Sequence, residues 1–92
     1  MIRPVGMALV ALAVATAPAA ARTVPQDHID KVIAVFLSMD CAINPLVRGE
    51  EADRRAGLST REFSQAVAEL EDRGQVTTTE TLVFRLKHKD CP

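Results

Sequence analysis

Two cysteines, Cys41 and Cys91, and two histidines, His28 and His88, are the side chains of this 92-residue chain best suited to redox, metal or acid–base chemistry. As a set, His88-x-x-Cys91 with Cys41 and His28 would offer two thiolates and two imidazoles, the donors of a structural zinc site. The spacing matches no standard zinc signature, and oxidation of the thiols would remove the ligands. Thiol exchange favours a close Cys-x-x-Cys pair, whereas these cysteines stand 50 residues apart. Each histidine reads as a solvated side chain near the end of an element rather than as a base.

Other nucleophiles and acids fare no better. Ser38, Ser59 and Ser64 lack the strand–turn–helix elbow that exposes a catalytic serine. Glu69, Glu71 and Asp72 can be drawn as paired carboxylates, but they read as charge on an exposed helix face, with Arg73 four residues beyond Glu69. There is no glycine-rich phosphate loop. No catalytic residue, metal ligand or cofactor is assigned, and no enzymatic activity is expected.

The simplest chemistry left to the cysteines is one intramolecular disulfide, Cys41–Cys91. The N-terminus supplies a compartment for it. Arg3 begins a positive region, residues 5–17 are apolar, and Ala19-Ala20-Ala21 offers the small-x-small pattern of a signal-peptidase site before Arg22. The apolar run is short and interrupted by Gly6 and Pro18, which disfavours a lasting membrane span. Residues 1–21 therefore read as a signal peptide, residues 22–92 as a single domain, and the location as periplasmic or secreted. In an oxidising compartment, closing a loop of this length is worth about 4 kcal/mol by chain entropy, comparable to the net stability of so small a domain.

Charge narrows the partners. Residues 22–92 keep ten of the eleven cations, Arg3 being lost, and all twelve carboxylates, giving a net charge of −2 with the two signs interspersed. Nothing in that balance attracts nucleic acid or an anionic membrane surface.

Four stretches must position these residues. Thr23-Val24-Pro25-Gln26 has the form of a capping box opening a helix from Thr23 to about Met39, and Ile29, Val32, Ile33, Phe36 and Met39 fall on one face of it. Asp40 would interrupt that face and end it. Cys41-Ala42-Ile43 reads as a short extended piece, and Asn44-Pro45 as a turn. A second helix spans Leu46 to Ala56, interrupted by Gly49, with Leu46, Ala52 and Leu58 as core contacts and Glu50–Arg54 and Glu51–Arg55 as surface pairs.

The most specific stretch follows. Ser59 and Glu62 form a capping box, Leu58 and Phe63 a hydrophobic staple, and Phe63, Ala66, Val67 and Leu70 one apolar stripe that Gly74 terminates. Val76 and Thr78, then Leu82, Phe84 and Leu86, alternate as strands joined through Thr79-Glu80-Thr81. The fold class expected is α+β, mainly α, with three helices, a C-terminal two-stranded hairpin and one disulfide.

In this order of elements, Leu58 to Lys87 resembles the third helix and wing of a winged helix-turn-helix domain. The pattern Leu58-Ser59-x-x-Glu62-Phe63-x-x-Ala66-Val67-x-x-Leu70-x-x-x-Gly74-x-Val76 carries the likeness. As a whole the chain is also similar to small exported bacterial proteins of uncharacterised role. Winged-helix geometry implies that the short strand lies beside the wing, bringing Cys41 near Cys91. It also implies DNA binding through the third helix, but the outward face there carries Arg61 against Glu69, Asp72 and the flanking Glu71. The function expected is a non-enzymatic interaction or accessory module outside the cytoplasm, a monomer or weak homodimer meeting a protein partner. Its surfaces would be the third helix at Arg61, Gln65 and Ala68 and the wing at Val83, Arg85 and Lys87. The alternatives are a nucleic-acid-binding winged-helix protein and a metal-binding protein.

Overall fold

The structure, a computed structural model, describes residues 23–92; the signal peptide assigned to residues 1–21 lies outside them. Three helices pack on a small antiparallel sheet, in the order α1 (Gln26–Ser38), β1 (Ala42–Ile43), α2 (Pro45–Ala56), α3 (Thr60–Asp72), β2 (Val76–Thr78) and β3 (Phe84–Leu86).

Helix α1 buries Ile29, Val32, Val35 and Phe36, with Met39 buried just past its end. The capping box expected at Thr23 does not form. The N-cap is Pro25, extended at φ −58° and ψ 141°, with no side-chain cap, so Gln26 is the first helical residue rather than the third. The Gln26 side chain instead donates through Nε2 to Asp30 Oδ1 at 3.0 Å. At the other end the chain turns through two consecutive non-glycine residues with left-handed backbones, Asp40 (φ 61°) and Cys41 (φ 63°). The Cys41 amide donates to the Phe36 carbonyl at 2.8 Å and closes the helix end.

Asn44 caps α2, its side chain accepting from the Leu46 amide at 3.0 Å, while Pro45 occupies the first turn, where it leaves no helical hydrogen bond unmade. The interruption lies at Arg48 (φ −123°), one residue before the glycine expected to cause it. Leu46 is not a core contact: it is 80% exposed, and Ala52 and Ala56 make the buried face of this helix.

Helix α3 starts as its sequence dictates. The Glu62 amide donates to Ser59 Oγ at 3.1 Å and the Ser59 amide to Glu62 Oε1 at 2.9 Å. Phe63, Ala66, Val67 and Leu70 are buried. Gly74 (φ 75°) makes the left-handed turn after it, and the Gln75 amide closes on the Leu70 carbonyl at 2.8 Å.

The strands correct the two-stranded expectation. β1 pairs antiparallel with β3 as well, giving a three-stranded sheet of order β1-β3-β2, with Ile43 opposite Phe84 and Val76 opposite Leu86. The last strand is also shorter than its alternation suggested. Leu82 adopts φ 63° in the turn and is 54% exposed, so pairing begins only at Phe84.

One core of buried apolar side chains joins all the elements. Cys41 and Cys91 are disulfide-bonded with their Cα atoms 5.9 Å apart, fastening the turn after α1 to the segment beyond β3. Disulfides persist in oxidising compartments. Among the described residues, no helix is long and apolar enough to cross a membrane.

Candidate functional site

Among the described residues, a cleft of about 290 Å³ opens between α2, α3 and the sheet. Its floor is apolar: Ile43 from β1, Ala52 from α2, Phe63 and Val67 from α3, and Phe84 from β3. The first four are buried core residues, while Phe84 is half-buried. β1 and β3 are placed by their mutual pairing, which sets Ile43 directly across from Phe84.

The rim is acidic. Glu50 and Asp53, three apart on α2, and Glu71, near the end of α3, all line the cleft, and no lysine or arginine does. Two of these carboxylates also bind the elements together. Thr60 Oγ1 donates to Asp53 Oδ2 at 2.7 Å, tying α3 to α2, and Thr78 Oγ1 donates to Glu71 Oε2 at 2.8 Å, tying β2 to α3. Glu50 is exposed. In the first turn of α2, beside Pro45 at the cleft edge, Leu46 and Val47 are 80% and 77% exposed.

The surface residues picked from the sequence fall into two separate groups. Arg61, Gln65 and Ala68 form one stripe along α3, away from its buried side and flanking the cleft at Ser64; Arg61 and Gln65 are exposed and Ala68 half-buried. Arg85 and Lys87 are exposed and Val83 half-buried. Because side chains alternate along a strand, Arg85 faces away from Phe84 and Leu86, hence away from the cleft. The residues of the cleft itself escaped the sequence reading. Spacing pairs Glu50 with Arg54 as surface charge, and only the packing of α2 on α3 puts Glu50 and Asp53 with Glu71.

The ionisable groups with shifted affinities, Arg48, Glu51 and Glu62, lie outside the cleft lining and serve the fold. Arg48 clasps Glu51 with Nε to Oε1 at 2.9 Å and Nη2 to Oε2 at 2.8 Å, and Arg55 adds Nη2 to Oε2 at 2.6 Å. Hydrogen bonding by Arg48 first, then by Arg55, holds the Glu51 carboxyl down at about 2 and, reciprocally, Glu51 raises the Arg48 guanidinium. The expected Glu51–Arg55 pair is thus present with a second arginine added. Hydrogen bonds from Ser59, backbone first and hydroxyl second, hold Glu62 below the usual carboxylate range, with His28 Nε2 4.0 Å away. His88 Nδ1 accepts from the Asp90 amide at 3.1 Å within the tail. Arg73 Nε bonds Glu69 Oε2 at 3.0 Å, the pair foreseen on α3.

No family model, curated protein or solved structure matches the chain.

Proposed function

We propose that this chain is an exported, non-enzymatic interaction module of winged-helix-like architecture that holds a protein partner outside the cytoplasm. The observation that carries the proposal is the apolar cleft between α2, α3 and the sheet, open at the surface and flanked along α3 by Arg61, Gln65 and Ala68. Its volume lies at the bottom of the range of roughly 300–1,000 Å³ that encloses drug-sized ligands, which suits an inserted side chain better than an engulfed cofactor. Export is supported by the disulfide together with the leader-like residues 1–21. The winged-helix-like architecture is supported by the element order and by β1 joining the hairpin through its last strand.

The test is site-specific photo-crosslinking in the native host, with a photoreactive residue at Gln65 on the exposed side of α3 or at Lys31 on α1. A discrete protein adduct from Gln65 but not Lys31, in the extracytoplasmic fraction, is expected. Recovery of the protein only from the cytoplasm with both thiols free, or the absence of any adduct specific to Gln65, overturns the proposal.

A further inference from the structure

We infer that the cleft takes a basic, amphipathic peptide segment of the partner, seating an apolar side chain on Phe63, Val67 and Phe84 while its lysines or arginines meet Glu50, Asp53 and Glu71. This deepens the proposed function and rests on it. Charge complementarity selects the occupant. The cleft is lined by three carboxylates and no lysine or arginine, so an apolar anchor carrying an acidic flank would meet like charge from Glu50, Asp53 and Glu71.

The exposed apolar pair beside the cleft extends the same surface. Leu46 and Val47 follow Pro45, which itself lines the edge, so a peptide leaving the cleft over α2 meets a second apolar contact. Isolated exposed apolar residues are ordinary, but two neighbours next to a concave apolar floor mark an interaction surface. A segment with one anchor for the cleft, a second apolar residue for Leu46 and Val47, and basic residues between satisfies both the floor and the rim. The rim carboxylates steer such a segment, so affinity falls as salt is added.

The disulfide-bonded protein is titrated with two synthetic peptides, one of alternating leucine and lysine and one with each lysine replaced by glutamate, while backbone and methyl resonances are followed by NMR. The basic peptide is expected to shift Ile43, Val67 and Phe84, to bind less tightly as salt rises, and to bind about tenfold more weakly to Glu50→Lys. Glu50 is exposed, so this reversal leaves the core intact, as thermal melting verifies. Ser64→Trp, which fills the cleft from an exposed position, is expected to abolish the shifts.

Equal binding of the acidic peptide, shifts that map elsewhere, or insensitivity to Glu50→Lys overturns the inference. So does saturation of the same resonances by spermidine at equal affinity, which would make the cleft a small-amine site. Self-association that Ser64→Trp abolishes, without peptide binding, assigns the cleft to a second copy and overturns it too. Each of these results leaves the crosslink at Gln65 to be judged separately, so failure of the peptide chemistry and failure of the interaction-module proposal are distinguishable.

Discussion

The carbonyl of Cys41 accepts the Leu86 amide at 2.9 Å, while the sulfur of Cys41 is bonded to Cys91 five residues further on. One residue is thus joined to the end of the sheet twice, by the ladder and by a covalent bond. That double attachment fastens the end of α1 to β3, beside the strand pairing that sets Ile43 opposite Phe84 in the floor of the cleft.

Removing the covalent link should expose how little the ladder can do alone. The pair Cys41→Ala with Cys91→Ala frees a loop of 50 residues and is expected to cost about 4 kcal/mol. That is most of the stability a domain of this size commands. Denaturant unfolding of the oxidised protein against the double variant checks it; a loss below about 1 kcal/mol would mean that the core suffices without the bond.

The turn in front of Cys41 is strained and can be relieved. Asp40 holds φ 61° with a Cβ that this region disfavours. Asp40→Gly is expected to raise stability by about 0.5–1 kcal/mol, after the greater entropy of glycine in the unfolded chain is set against the strain removed. A lower midpoint in thermal unfolding would show that the Asp40 side chain contributes more than its backbone costs.

The reciprocal cap at the start of α3 should be worth about 1 kcal/mol. Ser59→Ala leaves the Glu62 amide without its acceptor and removes one of the two hydrogen bonds that depress the Glu62 carboxyl. Urea unfolding measures the loss, and Ser59→Asp, which can still cap, should restore most of it.

Acid sensitivity should report on Glu51. Its folded-state value of about 2 lies below that of an unfolded glutamate, near 4.5, so its contribution is present above the latter and is lost as pH falls toward the former. Between about pH 4.5 and 2 the wild type should therefore lose stability more steeply than Glu51→Gln. Parallel acid limbs for the two proteins would show that solvent screens the Arg48 and Arg55 contacts.

Much of this architecture was legible because it is local. Ser59, Glu62, Leu58 and Phe63 specify the start of α3 within six residues, and Gly74 specifies its end. The disulfide was legible because only one pairing exists. Thr23 misled because a capping motif on its own does not say where the helix begins; the extended backbone of Pro25 moved the start to Gln26. Leu46 and Leu82 misled because an apolar residue in phase with a pattern need not face the core: Leu46 lies in the first turn of α2, ahead of the kink at Arg48, and Leu82 occupies a turn. The cleft could not be read at all, since Ile43, Glu50, Val67, Glu71 and Phe84 meet only through the packing of four elements. No spacing in the chain encodes it.

The sheet order has a consequence for how the fold is completed. β3 is the central strand, so neither β1 nor β2 has a partner until residues 84–86 are in place, and Cys41 has none until residue 91 arrives. The helices can pack on one another through Ile29, Val32, Phe36, Phe63 and Leu70 before that, so a chain emerging N-terminus first would gain its helical core ahead of its sheet and its disulfide.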